Sequence, residues 1–262
     1  MLKLVSFRSG CCYPLEVLPT LEGIIRRRVL LNFRADPAAV AALLPPPLEV
    51  LPFDGHAIVG VCLIGMEQLR PKGFPGGLGL SSENMAHRVA IRYPGSHGLE
   101  DGVFVWRRET DQCLVSLLGG RLFPGVQHHG HFDIEETDGG ISMNVKTRDG
   151  LADIQLEAAH TAEWDAGSVF PRFEDAAEFF RRGDCGFSCS LRSGRLDGLR
   201  LQTLEWNMSP LRITRWSSAF FQDERQFPPG SVHFDCALLM RGIPHEWHEI
   251  SEIPELAGAL ER

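Results

Sequence analysis

Lysine is what this chain has least of among its charged residues. Of its 26 basic residues only Lys3, Lys72 and Lys146 are lysines and the rest are arginines, so any amine nucleophile must come from three side chains or the N-terminus. No stretch approaches the ~20 consecutive apolar residues of a membrane-spanning helix. The opening Met1–Cys12 has too short an apolar run for a secretory signal, and residues 1–22 are expected to form a flexible tail. The seven cysteines, at 11, 12, 62, 113, 185, 189 and 236, lack the paired spacing of a disulfide framework or structural zinc site. They are expected to be reduced thiols of a cytoplasmic protein. No Gly-rich loop joins a strand to a helix, and no Gly-x-Ser-x-Gly elbow surrounds Ser81–Ser82. Nucleotide binding and serine-hydrolase chemistry are therefore not expected, and no cofactor is assigned. A net charge of −8 argues against a nucleic-acid partner, which needs an excess of cations.

What is present is an ordinary apolar fraction, 44%, arranged mostly in strand-length runs. Residues 24–33, 56–66, 82–93, 102–108, 114–118, 131–136, 141–147, 154–164, 185–191, 199–206, 212–220 and 233–240 carry strand signals, many bounded by Gly, Pro or Asp-Gly turns. Only two short helices are expected. Asp36-Pro37 supplies a cap and a first-turn proline for residues 38–44, ended by Pro45–Pro47. Phe173, Ala176, Ala177 and Phe180 recur at helical spacing before Gly183. Many strands with no alternating strand–helix rhythm predict a mainly β, α+β fold, an antiparallel sheet closing into a cone or barrel with short peripheral helices. No composition break divides it, so residues 23–262 are expected to be one domain.

The unusual chemistry is concentrated between Gly119 and Asp133. Arg121 precedes a Phe123-Pro124-Gly125 break, and His128, His129 and His131 follow it. His129, His131 and Asp133 share one face if the strand begins near His128, which would offer metal ligands. Alternatively one histidine is a general acid or base beside Glu83 or His87, or the histidines are turn and surface residues. No metal is assigned. Alternation over 82–93 puts Glu83, Met85 and His87 on one strand face and Asn84, Ala86 and Arg88 on the other. Arg88, Arg107, Arg108 and Arg121 offer guanidinium groups suited to a carboxylate, or to structural pairs with Glu83, Glu109 and Asp111.

The segments Ser81–Arg88, Val103–Thr110, Gly120–Gly125 and Ala237–His245 resemble the motifs of a large, functionally unassigned bacterial branch of the acetoacetate-decarboxylase-like superfamily. The resemblance spans about Arg26 to His248. It implies a β-rich fold with an internal ligand cavity, and in acetoacetate decarboxylase itself a lysine forms a Schiff base with a β-keto acid. Glu83 resembles the glutamate that orients substrate there, and one of Arg26–Arg28 the arginine. At the lysine's place, after the Phe123–Gly125 turn, this chain has Gln127, His128 and His129, and imidazole cannot form a Schiff base. Relatives assemble, so a homo-oligomer is a mild expectation.

The leading expectation is a protein that binds a small anionic, carboxylate or keto-acid-like molecule without Schiff-base chemistry. Its ligand-binding residues would be Arg28, His87, Arg88, Arg107, Arg108 and Arg121. One alternative is a lyase or hydrolase moving protons with Glu83, His128 and His129, with or without a metal. The other is a structural or interaction protein. No membrane partner is expected.

Overall fold

A computed structural model describes residues 19–75, 77, 79–96, 98–112, 125–190 and 196–250. Thirteen strands are described: β1 (Leu21–Ala35), β2 (Glu49–Val50), β3 (Pro52–Phe53), β4 (His56–Pro71), β5 (Leu80–Gly95), β6 (Gly98–Thr110), β7 (Gln127–Thr137), β8 (Gly140–Thr147), β9 (Ile154–His160), β10 (Cys185–Cys189), β11 (Leu196–Thr203), β12 (Ser209–Ser218) and β13 (Val232–Ile250). Helix α1 is Pro37–Ala41 and α2 is Phe173–Arg182. The expected strand at 114–118 lies outside the described residues.

The backbone hydrogen bonds return on themselves twice. Strands β13, β1, β4, β5 and β6 form a common antiparallel wall, in which β1 pairs with β13 and β4 along its whole length. On one side β10 and β11 link β6 back to β13. On the other, β7, β8, β9 and β12 make the same connection by a longer route. The pairings of β6 with β7 and with β10 are parallel, so the sheet is mixed, built around an antiparallel majority.

Because the wall is covered on both faces, its strands are buried almost continuously rather than at alternate positions. Val29, Leu31, Phe33, Val61, Leu63, Met85 and Val89 point into the main core, shared with Ile141, Met143, Val145 and Leu156 of β8 and β9. Leu30, Ile58, Cys62 and Ala90 point the other way and pack against Phe179 and Phe180 of α2 and against Phe170.

Local chemistry accounts for the breaks. Asp36 caps α1, accepting from the backbone N–H groups of Ala38 at 2.7 Å and Ala39 at 3.0 Å. The helix stops at Ala41, three residues short of the expected end, and finishes through turn-type bonds from Leu43 and Leu44. Asp54 and Gly55 both take positive φ, 45° and 76°, the two-residue turn that matches strand twist between β3 and β4. The last strand, expected to end at Met240, continues to Ile250, bending at Gly242, whose φ is 65°. Its first half pairs with β12 and its second with β11, so this bend lets one strand serve both closures.

Candidate functional site

Strand alternation divides the chemistry-bearing side chains between the two faces of the wall. On the α2 side lies a cavity of about 400 Å³ whose lining includes Arg28 of β1, Arg88 of β5 and Arg108 of β6. These three share a face because Arg28 lies opposite Ile64, two residues from Cys62, Cys62 lies opposite Ala86, and Ala86 lies opposite Arg108 and two residues from Arg88. The other walls are mostly apolar: Ile64 and Met66 of β4, Val105 of β6, Leu199 and Leu201 of β11, and Trp247 of β13.

Arg88 as a residue is 4% exposed. One Nη donates to Asn32 Oδ1 at 2.7 Å, its Cζ lies over the Phe180 ring at 5.0 Å from the centroid, and its buried Nε has no hydrogen-bond partner among the described residues. Burial, with repulsion from Arg28, lowers its pKa to about 10 despite the pull of Cys62, so it stays cationic at neutral pH. Arg28 donates from Nε to the Cys62 sulfur at 3.2 Å and lies 5.8 Å from the Trp206 ring. Among the described residues neither Arg28 nor Arg88 has a carboxylate within ion-pair distance. Burial likewise lowers Arg108 to about 10, against the attraction of Asp197.

On the opposite face, Glu83 accepts from Arg26 and Arg27. Glu136 of β7 accepts from Arg27 and pairs with Arg26 and with Arg241. Arg27 is 1% exposed and bridges the two carboxylates. Burial pushes the Glu83 carboxyl above its ordinary value against the opposing pull of Arg27 and Arg26. For Glu136 burial is outweighed by Arg27 and Arg241, which hold it below. Further along this face Arg107 pairs with Glu109 and makes a two-pronged contact with Asp149, at 2.9 Å on each oxygen.

Glu109 and His87 are both fully buried. Burial raises Glu109 to about 7 although Arg107 opposes it, and burial, helped by Arg107, lowers His87 to about 3. His128 pairs in parallel register with Glu109 and is held below its ordinary value by burial and by Arg107. His129, His131 and Asp133 are exposed, and among the described residues no three His, Cys, Asp or Glu side chains are grouped closely enough to hold a metal ion.

The structure thus brings Arg28, Arg88 and Arg108 together at the cavity and sets Glu83, His87, Arg107 and His128 on the other face. Arg121 lies outside the described residues. At the turn after Gly125 it is Gln127 that lines the cavity. Lys72 pairs with Glu246 and Lys146 with Asp153, both on the surface, and neither lines it. Sequence reasoning passed over Asn32, which orients Arg88, and the apolar wall of Leu199, Leu201 and Trp247. Asn32 is a lone polar residue in an apolar run, a signal of a buried partner. No helix among the described residues is long and apolar enough to cross a membrane.

Three comparisons bear on kinship. No curated protein matches the chain significantly. Among solved structures it is similar to acetoacetate decarboxylase from Legionella pneumophila, with a TM-score of 0.59 at 14% identity over 90% of this chain and 89% of that one. An acetoacetate decarboxylase-like enzyme from Sphingomonas wittichii RW1 gives 0.57 at 16% identity, covering 91% and 93%. The enduracididine biosynthesis enzyme MppR, solved in complex with pyruvate, gives 0.55 at 12% identity, covering 94% and 93%. At such identities the likeness establishes the fold, which is that of acetoacetate decarboxylase. The model of the DUF2071 family, described as an uncharacterized conserved protein, matches residues 25–236, and the chain belongs to that family.

Proposed function

We propose that this protein binds a small anionic molecule, a carboxylate or keto acid, in the 400 Å³ cavity, with Arg28 and Arg88 holding the anionic group and Arg108 beside them. The observation that carries this reading is the pairing of two guanidinium groups, one nearly inaccessible to water, with no carboxylate in reach among the described residues. A buried cation is normally paired, because leaving it alone forfeits its hydration without return. An anionic ligand would supply the missing charge and an acceptor for Arg88 Nε. The solved complex of MppR with pyruvate supports a keto acid as the first class to try.

On this reading the cavity works without a Schiff base, in keeping with Lys72 and Lys146 both lying away from its lining. By contrast, the ion-pair cluster around Glu83 supplies its own counter-charges, which makes it a poorer anion receptor. Calorimetric titration with pyruvate and other monocarboxylates, on the wild type and on Arg88→Met, tests the proposal. Saturable binding that Arg88→Met abolishes is expected, with no borohydride-trapped lysine adduct. Carboxylate binding of equal affinity in Arg88→Met would defeat it.

A further inference from the structure

Resting on that reading, we infer that the ligand is an amphipathic monocarboxylate of about a dozen non-hydrogen atoms, its head on Arg28 and Arg88 and an apolar body along β4, β6 and β11. Size is the first argument. At about 30 Å³ per water-sized group, a cavity of about 400 Å³ holds roughly twice what a three- or four-carbon keto acid fills. The volume also lies in the range of sites that enclose larger organic molecules.

The second argument is where the polar groups stand. Arg88 lies level with Gly60 and Val105, whereas Asn84 lies level with Ile64 and Thr110. Arg108 lies level with Ala86 between them, and Arg28 springs from the layer of Ile64 and Asn84 but reaches back to the Cys62 sulfur at 3.2 Å, so the three bases gather on one wall of the cavity. Away from that wall the lining is largely hydrocarbon, with Met66 on one strand and Leu199, Leu201 and Trp247 on others. A short keto acid held at the arginines would leave this hydrocarbon wet. A longer body would cover it and gain from the burial.

The third argument is the distribution of charge in the lining. The two exposed acids of the lining, Asp184 and Glu249, belong to the segment just before β10 and to β13, and Asp184 already faces Arg200 at 3.6 Å. Beyond Arg28, Arg88 and Arg108 no base lines the cavity among the described residues, so a second carboxylate at the far end of the ligand would set its charge against hydrocarbon. The arrangement therefore selects one anionic end and one apolar end, and disfavours a dicarboxylate of the same length.

Calorimetry on the full chain, with pyruvate, butanoate, hexanoate, octanoate, nonanoate, nonanedioate and octan-1-ol as probes, separates head from body. Affinity should rise about 3- to 4-fold per added methylene up to eight or nine carbons. Nonanedioate and octan-1-ol should each bind at least tenfold more weakly than nonanoate and octanoate. Leu199→Trp, which fills the apolar end, should remove the chain-length dependence while retaining butanoate binding. Equal affinity for butanoate and octanoate in the wild type, or tighter binding of nonanedioate, would overturn the assignment and leave anion binding standing. If no carboxylate binds, or if octan-1-ol matches octanoate, the anion-binding reading falls and this inference with it.

Discussion

His87 Nδ1 lies 3.9 Å from Glu109 Oε2, two fully buried groups of nominally opposite charge that do not form an ion pair. The imidazole is packed between Phe220 and Phe221, with ring centroids at 4.5 and 5.7 Å, and neither ring nitrogen has a partner among the described residues. Its pKa of about 3 keeps it neutral at neutral pH. The two groups thus oppose each other in their effect on stability.

The signs follow from linkage. His87 is lowered from 6.5 to about 3, so the unfolded chain takes its proton first, and stability is lost as pH falls from 6.5 toward 3. Glu109 is raised from 4.5 to about 7, so its contribution is lost as pH rises from 4.5 through 7. Between 4.5 and 6.5 the two cancel; below 4.5 the histidine acts alone, at about 1.4 kcal/mol per pH unit. His87→Phe removes that acid sensitivity. Urea unfolding of the variant should show stability rising from pH 7 down to 4.5 and then levelling. A profile parallel to the wild type would refute the assignment.

Arg27 and Arg26 touch the same two glutamates from very different surroundings. Arg27 is 1% exposed and Arg26 41%. Arg27→Met strands Glu83 and Glu136 beside each other without their buried bridge, and should cost about 3–5 kcal/mol. Arg26→Met breaks a screened, half-exposed pairing and should cost less than about 1 kcal/mol. Denaturant midpoints at low and at molar salt check both, since only the Arg26 contribution should fade with salt.

The architecture was legible where turns and apolar runs are local. The Phe173–Arg182 helix follows from Phe173, Ala176 and Phe180, and alternation over 82–93 sorts Glu83 and His87 from Arg88 as the structure does. Hidden was which face opens onto a cavity, because β1, β4 and β5 are covered on both sides and no polar face marks one of them as outer. Equally hidden were the parallel pairings of β6 and the continuation of β13 through Gly242 and Pro244, which depend on partners far away in the chain. Glu83, His128 and Arg28 could be picked out by residue type, but their separation onto opposite faces depends on how the strands close.

Asn32 sets the direction of Arg88 by accepting from it at 2.7 Å. Asn32→Ala removes one buried acceptor, which is worth about 1–1.5 kcal/mol, and should weaken monocarboxylate binding up to about tenfold. Asn32→Asp gives Arg88 a permanent internal counter-charge and should weaken it further while raising the melting temperature relative to Asn32→Ala. Carboxylate affinity unchanged in both variants would show that Arg88 is oriented by other contacts.

Gly60 provides an independent test of the same layer. It faces Asn32 on β1 and Arg88 on β5, and a Cβ there would lie 2.6 Å from the Leu31 carbonyl oxygen and 3.1 Å from Asn32 Oδ1. Strand backbone cannot give way by that amount without spreading β1 from β4, so Gly60→Ala should cost about 1–3 kcal/mol. Gly140 is as confined, with a Cβ 2.1 Å from the Ala158 carbonyl oxygen, but belongs to the β8–β9 pairing on the far side of the wall. Gly140→Ala should therefore lower the unfolding midpoint without changing carboxylate affinity below its transition. Gly60→Ala should lower both, because its methyl displaces the carboxamide that orients Arg88. Equal loss of binding in the two variants would mean that the cavity responds to global destabilisation rather than to the Asn32–Arg88 contact.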